Sequence, residues 1–249
     1  TWTYSLTAAD VTAMGEGTET LSATATDAAG NVSAAITKDI SVDTIAPAMP
    51  TIADVTTDNV INGAEQTAAI TGTAEANAQL TITVAGTTKT VTADANGTWT
   101  YSLTAADVTA MGEGTETLSA TATDAAGNVS AAITKDISVD TIAPAMPTIA
   151  DVTTDNVING AEQTAAITGT AEANAQLTIT VAGTTKTVTA DANGTWTYSL
   201  TAADVTAMGE GTETLSATAT DAAGNVSAAI TKDISVDTIA PAMPTIADV

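Results

Sequence analysis

Apolar and hydroxyl residues alternate along much of this chain. Between 98 and 103, Trp99, Tyr101 and Leu103 fall on one side and Thr98, Thr100 and Ser102 on the other, the period of two that marks a half-buried strand. Leu118, Ala120 and Ala122 alternate with Ser119, Thr121 and Thr123 in the same way, as do Leu80, Ile82 and Val84 with Thr81 and Thr83. The pattern predicts strands over 51–55, 67–74, 79–85, 88–93, 98–103, 115–123 and 131–139. The connectors carry turn chemistry. Ala85-Gly86 and Asp94-Ala95-Asn96-Gly97 suit short hairpins, and Asp124-Ala125-Ala126-Gly127-Asn128 suits a tight loop with left-handed positions at Gly and Asn. One short helix is predicted over 104–111, with Thr104 and Asp107 as a capping box and Gly112 as its stop.

This set of elements recurs. Residues 1–152 are identical to residues 98–249, a period of 97, which is too long for one turn of a solenoid and right for a whole small domain. The copies meet at a joint, Val-Asp-Thr-Ile-Ala-Pro-Ala-Met-Pro, that starts at Val42, Val139 and Val236. Its two prolines fix φ and forbid both helix and interior strand. With joints as boundaries the complete repeats are 43–139 and 140–236, residues 1–42 are the back part of a repeat, and 237–249 open another. Seven short strands and no helix long enough for a βαβ unit predict an all-β fold: tandem seven-stranded Greek-key sandwiches of immunoglobulin type, in an end-to-end array. The core is Ala-rich, so Trp99 and Tyr101 supply most of its bulk. The part-repeat 1–42, lacking its first four strands, is expected to be poorly ordered alone or completed by a partner chain.

Composition removes several functions. The 249 residues contain no Cys and no His, which excludes disulfides, thiol catalysis, and the commonest general base and transition-metal ligand. The net charge of −24 excludes nucleic acid as a natural partner. No 18-residue apolar run is present, so no membrane insertion is expected, nor is there a signal peptide in this stretch. Residues 43–139 alone carry eleven acids against Lys89 and Lys135, a net of −9, and such self-repulsion is relieved by cations. Carboxylates repeated in every copy, without a cleft-forming insertion or a His base, do not read as an enzyme.

In this order, the Val-Asp-Thr-Ile-Ala-Pro joint, Gly72-Thr73-Ala74-Glu75-Ala76-Asn77, Asp94-Ala95-Asn96-Gly97-Thr98-Trp99 and Ala122-Thr123-Asp124-Ala125-Ala126-Gly127-Asn128 resemble the bacterial Ig-like tandem repeats that form the extender region of giant RTX-type, type I-secreted surface adhesins. The resemblance covers the whole chain. It implies an extracellular stalk at the bacterial surface, rigidified by calcium at the joints between neighbouring repeats, that projects a distal ligand-binding domain carried elsewhere in the parent protein.

Topology argues for the same joints independently. In such a sandwich the loops after strands two, four and six share the pole at which the joint arrives. That pole brings Glu172, Asp191, Asp221 and Asn225 toward Asp140, and in the previous copy Glu75, Asp94, Asp124 and Asn128 toward Asp43. The opposite pole of the preceding repeat presents the loops 54–65 and 107–113. Six or more hard oxygens suit calcium better than magnesium. Alone, the Asp124–Asn128 loop reads as ordinary turn chemistry; joined by Glu75 and the joint Asp, it reads as metal-binding. Asp94 and Asp191 read first as turn formers, and Asp54, Asp58, Asp151 and Asp155 equally well as turn formers or ligands. A second function is also open. Thr-x-Thr pairs at 81/83, 90/92, 98/100 and 121/123 give hydroxyl faces that could match ice or a polysaccharide, although Thr is also what an exposed strand face prefers.

Overall fold

The computed structural model describes residues 1–245; the end of the expected opening repeat 237–249 therefore lies outside the described residues. Two compact units emerge, one of Thr1–Asp54, Ala69–Ser102 and Thr117–Lys135, the other of Val55–Ala68, Leu103–Glu116 and the described chain from Asp136 onward. Each joint, at Asp43 and at Asp140, lies inside a single unit.

The chain opens with α1 (Ala8–Met14), β1 (Gly17–Ala23) and β2 (Ile36–Val42). The middle repeat follows with β3 (Val60–Ile61), β4 (Ala69–Thr73), β5 (Gln79–Val84), β6 (Thr87–Thr92), β7 (Thr98–Ser102), α2 (Ala105–Met111), β8 (Gly114–Thr123) and β9 (Ile133–Val139). The last repeat repeats them as β10 (Val157–Asn159), β11 (Ala166–Thr170), β12 (Gln176–Val181), β13 (Thr184–Thr189), β14 (Thr195–Ser199), α3 (Ala202–Met208), β15 (Gly211–Thr220) and β16 (Ile230–Asp237).

In the last repeat a five-stranded sheet of order β10-β16-β15-β12-β13 faces a two-stranded sheet, β11-β14, and the same order recurs in the middle repeat. These are the seven strands of an immunoglobulin-like sandwich. Alternation explains the layers: Leu177, Ile179 and Val181 of β12 and Leu215, Ala217 and Ala219 of β15 are buried, while Thr178, Thr180, Ser216 and Thr218 face outward. Trp196, 1% exposed, fills the middle of a core otherwise built from Ile, Leu, Val and Ala. α3 exists because its ends are finished. Thr201 accepts from the Asp204 N–H while Asp204 accepts from the Thr201 N–H, a complete capping box, and Gly209 closes the turn; α2 repeats the arrangement.

The first expected strand takes a different form. No regular strand forms over 148–152, the copy of 51–55, although Thr148 and Ala150 donate to Thr170 and Thr168 carbonyls of β11, both at 2.8 Å. The chain then crosses to the other sheet through a turn with Asn156 at φ 58°, and β10 adds itself parallel to β16, pairing Ile158 with Val236. Pro147 starts this segment without a donor, and the crossing leaves too few residues for a continuous ladder. The segment lies close over β11 at Gly169, where a Cβ would stand 1.9 Å from the Thr148 carbonyl oxygen and 2.8 Å from the Trp196 ring.

In the part-repeat, β1 and β2 pair as a two-stranded sheet. Residues 1–5 share the sequence of β7 but form no strand, and among the described residues no copy of β4 stands beside them; Trp2 is 73% exposed where Trp99 is 1% exposed.

Candidate functional site

The joint after the middle repeat is built from four directions. β9 runs straight into it: Val139 is buried, and the Asp140 N–H extends the pairing with β3 by donating to the Ile61 carbonyl at 3.0 Å. Thr141 is then gripped by Glu113 of the α2–β8 turn, its N–H on Oε2 at 2.9 Å and its hydroxyl on Oε1 at 2.5 Å. Beyond it, Pro144 and Pro147 are buried. From the last repeat comes the loop 221–225, closed on itself by the Asn225 N–H on Asp221 Oδ1 at 2.9 Å, with Gly224 at φ 92°, a conformation that favours glycine.

The Asn225 side chain, 7% exposed, holds these parts together. Its Nδ2 donates to the Asp140 carbonyl at 2.8 Å and to Asp221 Oδ2 at 3.0 Å, and lies 3.5 Å from Asp140 Oδ1. Its Oδ1 accepts from the Gly63 N–H at 2.7 Å, and beside it Asn62 Nδ2 donates to the Ala223 carbonyl at 3.0 Å. The earlier joint repeats the inner half of this pattern. Asn128 Nδ2 reaches the Asp43 carbonyl at 3.2 Å, Asp43 Oδ1 at 3.3 Å and Asp124 Oδ2 at 2.9 Å, and Glu16 accepts from the Thr44 N–H.

The expected metal residues thus separate into groups. Asp140, Asp221 and Asn225 meet, as do Asp43, Asp124 and Asn128. The hydrogen bond from Asn128 holds the Asp124 carboxyl below the usual carboxylate range. Glu172 and Asp191 do share the pole of Asp221, since Gln176 pairs with both Thr189 and Thr220. Among the described residues, however, neither hydrogen-bonds to Asp140; the Glu172 carbonyl accepts from Ala175, and Asp191 Oδ1 accepts the N–H groups of Asn193 and Thr195. Glu75 is exposed and its carbonyl accepts from Ala78. Asp94 accepts the N–H groups of Asn96 and Thr98, the latter bond doing most to hold its carboxyl low. Asp58 and Asp155 build the crossing turns, accepting from Val60 and Val157, which lowers both carboxyls. Asp54 and Asp151 pair with Lys135 and Lys232, each at 2.7 Å.

The donor chemistry is right for calcium, all hard oxygens and no soft ligand. In the structure the oxygens of Asp140 and Asp221 converge on the N–H side of the Asn225 amide, and among the described residues no group of three or more acidic side chains alone stands close enough to hold an ion.

Asn62, Gly63, Glu113 and Thr141 take part in the joint without having been singled out individually from the sequence. Asn62-Gly63 reads locally as an ordinary turn, and Thr141 as one more Thr. Only the joint's repetition next to Asp140 marks Thr141.

A family model for bacterial Ig-like domains matches residues 52–141 and 149–238. No curated protein matches the chain. Among solved structures, the chain is similar to a Ca2+-stabilized adhesin that helps an Antarctic bacterium reach out and bind ice, at 32% identity and TM-score 0.49 over 97% of this chain and 61% of that one. It is also similar to a 1.5-MDa bacterial ice-binding adhesin, at 27% identity and TM-score 0.48 over 96% and 80%. A tetra-tandem repeat from the extending region of a large adhesion protein shows 25% identity and TM-score 0.34 over 92% and 58%. The chain spans about three fifths of the first of these.

Proposed function

Because the chain belongs to the bacterial Ig-like domain family, we propose that its repeats are the extender of a bacterial surface adhesin: a mechanical, non-catalytic stalk outside the cell that projects a binding domain carried elsewhere in the parent protein. One observation carries the reading. Identical domains follow each other without a linker, the last strand of one running through Asp140 and Thr141 into the next, with that joint gripped by Glu113 before it and Asn225 after it. A ligand-binding or catalytic protein has no need of identical copies joined so tightly, whereas reach grows with every copy. Among the described residues no helix is long and apolar enough to cross a membrane.

The repeats 43–139 and 140–236 are the proposed domains, and calcium is the proposed stiffener. Asp43, Asp124, Asn128, Asp140, Asp221 and Asn225 are its proposed inner contacts, with Glu75 and Glu172 at the same poles. The support is donor chemistry and the net charge of −24, which disfavours a compact array until counter-charge is supplied. For these residues to serve, Asn225 must turn its amide so that Oδ1 replaces Nδ2 beside Asp140 and Asp221, giving up its bond to Gly63. Calorimetry and small-angle scattering in calcium and in EDTA test this part. A higher melting temperature and a larger maximum dimension in calcium support it, and identical values in both buffers refute it.

A further inference from the structure

The hydrogen bonds across the joint carry an inference that does not depend on calcium. We infer that Asn62 and Asn225 form an amide clasp that pins neighbouring repeats to each other with no ion present. Two bonds cross the joint directly, from the Gly63 N–H to Asn225 Oδ1 at 2.7 Å and from Asn62 Nδ2 to the Ala223 carbonyl at 3.0 Å. The same Asn225 amide fastens the joint backbone through the Asp140 carbonyl. One side chain therefore ties the loop of the last repeat to the joint behind it and to the loop of the middle repeat beyond.

The repeats supply their own comparison, because each loop occurs again in a copy that does not face its counterpart. Asn225 is buried where Asn128, its copy, is half-buried; Ala223 is 8% exposed where Ala126 is exposed; Asn62 is half-buried where Asn159 is exposed. The sequences are identical, so the difference arises from the meeting of the two loops. Fit is close at that point: a Cβ on Gly63 would stand 3.2 Å from Asn225 Oδ1, and one on Gly224 3.3 Å from Asn62 Nδ2. Glycine at both positions lets two backbones approach within amide reach. Removal from water strengthens these bonds and makes the loss of one partner costly.

The clasp, which rests on the stalk reading, adds a restraint on the joint that acts in calcium-poor surroundings and falls short of the stiffening proposed for calcium. The Cys-free chain allows direct measurement. Spin labels at Ala106→Cys and Ala203→Cys, exposed positions on α2 and α3, report the distance distribution between the repeats by pulsed electron paramagnetic resonance in EDTA. With the clasp, the unmodified joint in EDTA gives a narrower distribution than a joint without it. Asn62→Ala with Asn225→Ala broadens it about twofold or more, since relative motion is the default between domains without a strong interface. The matched double variant, Asn128→Ala with Asn159→Ala, makes the same changes in loops that do not face each other and leaves the distribution as in the unmodified protein, with cooperative melting curves confirming that both proteins fold. A distribution in the unmodified protein as broad as in the Asn62/Asn225 variant would overturn the clasp. It would leave the stalk reading, which calcium can still serve, to be judged by the calcium titration.

Discussion

At the scale of single residues, the strongest constraints lie where backbone and charge come close to the core. Gly169 lies beneath the segment at Thr148, and a methyl group there would meet the Thr148 carbonyl and the Trp196 ring together. Gly169→Ala is expected to destabilise the last repeat by about 1–3 kcal/mol or more, the usual cost of overpacking, read as a lower denaturant midpoint with unchanged slope. Asp204 supplies a pH dependence. Burial pushes its carboxyl up, but hydrogen bonds from Lys186, Thr201 and Tyr198 more than reverse that and hold it well below the usual carboxylate range. A carboxyl depressed in the folded state stabilises fully above its ordinary value near 4, and the contribution disappears as pH falls below that. Chemical unfolding of the parent and Asp204→Asn should therefore show a stability gap that is constant from about pH 5 to 8 and closes towards pH 2; a gap independent of pH would contradict this assignment.

At the scale of elements, the short helices depend on their caps, since seven residues cannot sustain an isolated helix. Thr201→Ala should cost about 1 kcal/mol in the last repeat, measurable by thermal unfolding. This helix was fully legible in the sequence, because Thr, Asp three residues on and Gly at the stop are all local signals. Six of the seven strands were legible for the same reason, their alternation being local. What local pattern did not show was the split of the first strand. The choice between continuing beside β11 and crossing to β16 is set by contacts more than sixty residues away, and Val157-Ile158 carries no alternation to announce it. The joint was legible in part for a like reason. The meeting of Asp140, Asp221 and Asn225 follows from which loops share a pole, but a pole does not fix distances. Glu172 and Asp191 reach that pole without bonding to Asp140; Asp191 spends its carboxylate on its own turn, and the Glu172 backbone carbonyl closes another. The partners of the clasp, Asn62 and Gly63, come from the neighbouring repeat, a separation of 161 or 162 residues that no window along the chain spans.

At the scale of the whole molecule, identity between copies means that any joint property repeats down an array, so a small restriction of bending at each joint compounds into reach. The central claim is that the repeats extend rather than merely connect. Small-angle X-ray scattering on arrays of two, four and eight identical repeats in calcium tests it directly. The stalk account predicts a maximum dimension that rises in proportion to repeat number. A rise closer to the square root of repeat number, the behaviour of freely jointed segments, would contradict it.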